Sequence, residues 1–403
     1  MRPLGFAWMS LRRQPARALL GVLGVAAVGA LLFDMLLLSR GLIVSLRDLL
    51  DRVGFDVRVM ATDALPAARQ ELPHALEIAA RIATLPEVGA VVPLRLGSAE
   101  LLSAQGDQPR KSIALVGADA AGRSPWTIVA GREIDRIGGG GATALLVNRN
   151  FASALGLGPS ATLVLRGTCG GRDEARPPAT FVVTGIAEFP FESSGQWAAA
   201  ATLSGYERLC GSTGRGEADI LLVASRAPAG PEGAVAAIRR EFPGLNTFTN
   251  EEVVSRFQQN DFAYFQQISA VLGTVTTFFG FLLITVLLTV SVNQRLGEIA
   301  ALRALGFSRW RVVTDVLYES TILVGLGGLL AVPLGAGLSL WLDAILQSMP
   351  GLPVGVRFFV FEPRALAWHT ILLAATALGA ALYPMQIVAR LPIAATLRRE
   401  TIS

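Results

Sequence analysis

The sequence predicts a membrane protein: an α-helical four-span transmembrane domain with a large α+β domain inserted between spans 1 and 2. Three observations carry this. Four apolar runs, 18–38, 268–292, 316–342 and 366–388, are each about as long as the roughly 20 residues a helix needs to cross a bilayer. A long, more polar stretch from Phe55 to Glu252 separates the first run from the second. The composition, 52% hydrophobic and 16% charged with a mean hydropathy of +0.50, is too apolar for an ordinary soluble protein and too charged for a chain wholly in lipid.

Several function classes fall away. The net charge of +4 and pI near 9.6 would fit nucleic acid, but the arginines cluster beside apolar runs, which favours membrane topology. No nucleic-acid motif is present. A phosphate-binding P-loop needs Gly-Lys-Ser/Thr after a glycine-rich turn. The single lysine, Lys111, follows Arg110 with no such turn, so the chain is no P-loop ATPase. The run Gly138 to Gly141 reads as a hairpin or linker. The two histidines, His74 and His369, have no nucleophile motif nearby and read as surface or interface residues. Cys169 and Cys210 lie outside the apolar runs and lack further ligands at zinc spacing, so no metal site is expected. A disulfide between them requires an oxidising compartment, and the sequence gives no distance, so their pairing stays open.

Residues 1–17 are basic, with Arg2, Arg12, Arg13 and Arg17 and no acid. They read as a cytoplasmic or interfacial segment. The run after them is longer than a signal-peptide core, so it reads as an uncleaved span. Arg40, Arg47, Asp48 and Asp51 interleave with leucines and continue the helix as a stalk, giving 18–51 for span and stalk. Asp34 would cost about 3 kcal/mol at mid-bilayer and less near the interface. It is either a substrate or helix-pairing contact or a wet residue near the outer surface, and the second reading is favoured.

The domain at 55–252 opens with a strand at F-D-V-R-V-M, a helix from His74 to Thr84 and a strand at V-G-A-V-V-P-L. A-D-I-L-L-V-A, a helix from Glu232 to Glu241 and F-P-G-L-N-T-F-T repeat that order. Two β-α-β units therefore make one α+β lobe from 55–125 and 202–252. Between them, 126–201 is strand- and turn-rich and reads as a β-rich lobe.

Residues 253–292 form a second stalk and span. Phe257, Phe262, Tyr264 and Phe265 sit at its start as membrane-interface anchors; the minority reading has some line a route by which lipid or drug enters. The third span, 316–342, carries Gly325, Gly327, Gly328, Gly335 and Gly337 for close packing and Pro333 for a kink. Glu319, near its start, is an intramembrane polar residue that ties the preceding elbow to the bundle. An outer loop (343–365), the fourth span and a tail (389–403) complete the chain. The N-terminus, the segment 293–315 and the tail are basic, whereas the 343–365 loop balances its charges, so both termini and 293–315 are expected in the cytoplasm and the large domain outside.

The segment 293–315 is the most informative stretch. Leu296, Ile299, Ala300 and Arg303 have helical spacing, Gly306 stands at a helix C-cap, and Ser308 can N-cap the next helix. A helical elbow therefore joins spans 2 and 3. Its sequence, R-L-G-E-I-A-A-L-R-A-L-G-F-S-R, resembles the cytoplasmic segment of FtsX-like permeases, the MacB type of ABC transporter membrane subunit. F-A-W-M-S-L-R-R-Q-P-A-R at the N-terminus, Arg132 and Leu155-Gly156 in the β-rich lobe, and Pro392, Ala395, Leu397 and Arg398 in the tail match the same family. The resemblance runs over essentially the whole chain, most specifically from Ile268 to Glu400.

The resemblance implies that the elbow is a coupling helix docking on an ATPase through Gly297, Glu298, Ile299, Leu302, Arg303, Leu305 and Gly306. It implies a periplasmic domain and a multi-pass protein of the bacterial inner membrane. It also implies a permease subunit that converts ATP-driven ATPase motion into movement of a lipid, glycolipid, drug or peptide on the periplasmic side. Fused MacB-type proteins carry the ATPase on the same chain. Here a separate ABC ATPase dimer would bind ATP and magnesium, and the chain itself holds no cofactor and is no enzyme. Further expected partners are a second copy or homologous permease, a periplasmic adaptor with an outer-membrane duct, and membrane lipids. Two other readings share this layout: a lipoprotein-extraction permease, and a non-transporting regulator of a cell-wall hydrolase.

Overall fold

The computed structural model describes residues 15–63, 70–102, 111–119, 123–134, 143–169, 177–211, 216–260, 263–294, 296–306, 308–349 and 356–389. Most of the N-terminal segment, the Gly138 to Gly141 run and the tail motif from Pro392 to Arg398 lie outside the described residues. The chain divides into two compact units: Met1–Leu42, Ala263–Ile345 and Arg357–Ser403 form one, and Ile43–Phe262 with Leu346–Val356 the other.

The first unit is helical. Helix α1, Pro15–Arg52, is the first long helix. The helices α7 (Ala263–Asn293), α8 (Leu296–Ala304), α9 (Arg309–Gln347) and α10 (Pro363–Ala389) follow the second unit in sequence. Four segments, Ala18–Arg52, Gln266–Asn293, Leu317–Gln347 and Pro363–Ile387, are long and apolar enough to cross a membrane. Val25, Ile284, Val324 and Leu373, one from each long helix, meet in a shared apolar core.

Apolar burial contributes little to helix association in lipid, so close packing of small residues matters more. On α9 the residues Leu323, Gly327, Ala331, Gly335, Ser339 and Asp343 follow one another every four positions, and all are buried. This ridge faces Val25, Gly29 and Ala30 on α1. A Cβ on Gly327 would sit 2.6 Å from Val25 Cβ, one on Gly29 2.8 Å from Ala331 Cβ, and one on Gly335 3.0 Å from Ala30 O. The packing glycines therefore differ in part from those expected. Gly335 belongs to the ridge and Gly328 meets Leu373 on α10, but Gly325 has nothing within 4 Å. It lies half a turn from Gly327, on the outer face. Pro333 lies inside α9, which continues through it. Replacing Gly327 by leucine should cost roughly 1–3 kcal/mol through overpacking, read as a lowered Tm of the detergent-solubilised protein.

The ridge also corrects two expectations about acids. Asp34 is 1% exposed, not wet, and Ser339 Oγ donates to its Oδ1. Asp34 is four residues beyond Ala30, as Ser339 is four beyond Gly335, so the ridge that packs glycine on alanine also brings these two together. Asp343 does not begin an outer loop. It lies inside α9, is 7% exposed, and accepts a 2.9 Å hydrogen bond from Phe358 N. His369 is likewise inside the bundle, 2% exposed, with Nε2 donating to Gly29 O at 3.0 Å. His74, by contrast, is exposed and precedes its helix at φ 55°.

The second unit is built on a mixed sheet. Its elements are β1 (Val57–Met60), α2 (Ala75–Ile82), β2 (Val88–Leu101), β3 (Ser112–Ala118), β4 (Thr127–Gly131), β5 (Thr143–Asn148), α3 (Arg149–Leu155), β6 (Thr162–Gly167), β7 (Ala179–Glu188), β8 (Trp197–Ala201), α4 (Leu203–Cys210), β9 (Ile220–Ser225), α5 (Gly230–Glu241), β10 (Asn246–Thr249) and α6 (Asn250–Asn260). The strand order is β10-β1-β9-β2-β3-β8-β5-β7-β4, with β6 bridging β2 and β7.

The two β-α-β units interleave. In β10-β1-β9-β2 every neighbour is antiparallel, so each unit's crossover passes over a strand of the other, as in a split β-α-β fold. Helices α2 and α5 cover one face, burying Ala75, Ile82, Val235 and Ile238 on Val57, Val59 and Val223. The second half of β2 then pairs with β3 and β6, and the sequence β2-β3-β8-β5-β7-β6 returns to β2 as a closed ring. Alternate residues point into it, Ile113, Leu115, Leu145, Val147, Leu165 and Phe181 among them, following the period-2 pleat. The residues between them, such as Leu146, Ala198 and Ala200, face a second core with Phe55 and Val92. The lobe division expected at 125 falls after β3, which belongs to the ring, and β2 serves both lobes without interruption.

Local signals fix the ring's ends. Asn148 N-caps α3 by accepting from Phe151 N at 3.0 Å, and Gly156 ends it at φ 63°. Tyr206 on α4 lies over β2 and β3 only because Gly97 and Gly117 leave room: a Cβ on either would come within 2.7 Å of it. Its hydroxyl donates to Leu96 O at 3.0 Å. Cys169, just after β6, and Cys210, at the end of α4, are joined as a disulfide with a Cα–Cα distance of 5.2 Å.

Candidate functional site

The elbow is built from three short pieces. Helix α7 ends at Asn293, α8 holds Leu296–Ala304, and α9 begins at Arg309. The third long helix therefore starts inside the elbow rather than at Val316. On α8, Ile299 and Ala300 are 7% and 0% exposed and Gly297 is buried, so the inward face follows the apolar spacing read from the sequence. The side chains of Glu298, Leu302 and Arg303 lie outside the described residues; their backbone is on α8.

Gly306 turns the chain. Its φ of 90° is strained for any residue with a Cβ, and Ser308 directly precedes α9. Either side of this turn stands a large apolar residue with almost no cover: Leu305 is 78% exposed and Trp310 77%. Trp310 was not singled out from the sequence. The signal was there, since an aromatic within one turn of a helix start, amid Arg309 and Arg311, has nothing of its own helix to pack on. Exposed large apolar side chains at one turn are informative where scattered ones are not.

Behind the turn, Glu319 is 7% exposed and accepts a 2.8 Å hydrogen bond from Ser291 Oγ. It thus links α9 to the last turns of α7, one step inside the elbow. Among the described residues no group of three His, Cys, Asp or Glu could hold a metal ion. Among the described side chains of the elbow, what stands out is the exposed apolar pair Leu305 and Trp310.

Residues 270–393 match the family model of the FtsX-like permease C-terminal domain. This part of the chain is similar to the C-terminal domain of FtsX-like permeases. The match takes in most of α7, all of α8, α9 and α10, and hence the whole elbow. No curated protein matches the chain by sequence. Among solved structures, the extracellular domain of the noncanonic ABC-type transporter YknZ from Gram-positive bacteria aligns at 12% identity and TM-score 0.34, covering 48% of this chain and 99% of that one. The periplasmic region of MacB from Actinobacillus actinomycetemcomitans aligns at 11% identity and TM-score 0.38, covering 53% and 98%. A domain of a putative permease protein from Porphyromonas gingivalis aligns at 17% and 0.31, covering 48% and 87%. Scores this far below 0.5 do not establish a common fold. The likeness to FtsX-like permeases rests on the match over residues 270–393.

Proposed function

We propose that the chain is the permease subunit of an ATP-driven ABC transporter whose ATPase is a separate polypeptide. The observation that carries this is the elbow of the FtsX-like domain: a short helix between two membrane-length helices, turning at Gly306 with Leu305 and Trp310 bare on either side. Paired exposed leucine and tryptophan suit an anchor in a partner's pocket, and Glu298 and Arg303 on α8 would set register by charge. The single lysine, outside any P-loop context, is in keeping with ATP and magnesium being bound by that partner.

Mechanism follows from the connections. ATP-driven closure of an ATPase dimer pushes on α8. Because α9 begins directly after the turn and Glu319 ties it to α7, displacement of the elbow is passed to both helices together. The basic elbow lies in the cytoplasm by charge. The disulfide between Cys169 and Cys210 favours an oxidising compartment for the domain that contains it, hence the other side of the inner membrane. The machine would then move a lipid, glycolipid, drug or peptide at the outer side, with a periplasmic adaptor and outer-membrane duct. A second copy or homologous permease would complete the membrane part.

The test is affinity capture of the tagged protein from its native membranes, beside the double variant Glu298→Arg/Arg303→Glu. An ABC ATPase is expected to co-purify with the wild type and not with the variant. Absence of an ATPase from both contradicts the proposal.

A further inference from the structure

Where α1 ends and α6 begins, the second unit contains a buried polar node that apolar packing alone does not explain. Arg58 on β1 is 7% exposed and donates to Asn250 Oδ1, in the first turn of α6. Asn250 Nδ2 in turn donates to Asp51 Oδ1 on the last turn of α1 at 3.0 Å and to Phe55 O at 3.2 Å. Burial holds the Arg58 guanidinium down to about 10, with Asp51 pulling the other way, so it is charged at neutral pH. One turn back, Arg47 on α1 pairs with Glu251 on α6. The start of α6 is itself fixed by a capping box: Glu252 N donates to Thr249 Oγ1 and Thr249 N to Glu252 Oε2, both at 3.1 Å. All these residues belong to the same compact unit.

A buried charge is a poor stabiliser compared with apolar residues of the same volume; what it does provide is one fixed geometry. Here the geometry fixed is that of two helices that leave one sheet, since β1 pairs with β10 and α6 follows β10 without a gap. We infer that Asp51, Arg58 and Asn250 form a transmission node that makes the end of α1 and the start of α6 one rigid body throughout the transport cycle, so that either helix turns the mixed sheet as a whole. The three are positioning residues, acting through the helices and touching no substrate. The inference rests on the transport reading above for the cycle, but not for the bracing.

Spin labels at Asp48→Cys and Ser255→Cys, exposed positions on α1 and α6, test it by double electron–electron resonance. The two native cysteines are paired and do not label. The probe is the full-length protein with its co-purified ATPase, nucleotide-free and trapped with ATP and vanadate. The wild type is expected to give the same single narrow distance in both states. Arg58→Met, which fills the space without the charge but leaves Asn250 Oδ1 without its donor, is expected to lower the Tm by only a few degrees, to keep ATPase capture and to lose the narrow distance. A wild-type distance that shifts on trapping, or an Arg58→Met distribution as narrow as the wild type's, overturns the inference. If no ATPase co-purifies, the transport reading fails. Wild type and Arg58→Met compared on the chain alone still decide whether the node braces the helices.

Discussion

Replacing both Leu305 and Trp310 by aspartate is expected to weaken capture of the ATPase at least about 100-fold. A tryptophan at an interface hot spot costs about 2 kcal/mol or more on truncation, an unpaired carboxylate buried in place of either side chain costs further, and each 1.4 kcal/mol is a factor of ten. Both side chains are nearly bare in this chain, 78% and 77% exposed, so neither holds the fold together and the loss should not come from unfolding. Leu76→Asp, at an exposed apolar position in the other unit, is the control and should leave capture unchanged. The comparison is read as the ATPase retained per permease in detergent, with expression and Tm of the variants checked alongside. Equal capture by the double variant would move the docking surface away from the Gly306 turn.

The second large effect is on stability. The Cys169–Cys210 disulfide closes a loop with a sequence separation of 41, for which the chain-entropy argument gives about 4 kcal/mol. It also holds β6 of the ring to α4, whose Tyr206 fills the space left by Gly97 and Gly117. Cys169→Ser or Cys210→Ser is therefore expected to lower the Tm of the second unit by roughly 10 °C, at about 2–4 °C per kcal/mol for a domain of this size. Unfolding is followed without reductant. A Tm equal to that of the wild type would mean that helix α4 and the ring are held by packing alone.

What the sequence made legible was what periodicity and length encode. Apolar length marked the long helices, and the repeated strand-helix-strand order, with L-P-E-V and F-P-G-L each following a helix, announced two β-α-β units. The i, i+3 pattern through Ile299 and Ala300 drew the inward face of the elbow helix. What it did not make legible depends on partners distant in sequence. Nothing near Asp34 says that Ser339, more than three hundred residues on, stands opposite; only the four-residue ridge running through Gly327, Ala331 and Gly335 does. Gly325 and Gly327 look alike in the sequence, and half a helical turn decides which of them packs. The ring escaped for the same reason. The parallel pairing of β3 with β8 joins Ile113 to Trp197, and local alternation cannot say which strand lies beside which. Trp310 stands beside Leu305 only once Gly306 turns the chain, so the pairing of the two exposed side chains is a property of the fold.

The account requires the elbow and the sheet-bearing unit to face opposite sides of the membrane. The direct measurement is labelling of single cysteines by a membrane-impermeant thiol reagent in intact, outer-membrane-permeabilised cells, at Ser308→Cys in the elbow and Thr127→Cys on β4, both exposed. The account predicts that position 127 labels at once and position 308 only after the inner membrane is broken. Labelling of position 308 in intact cells, or of both positions alike, contradicts it.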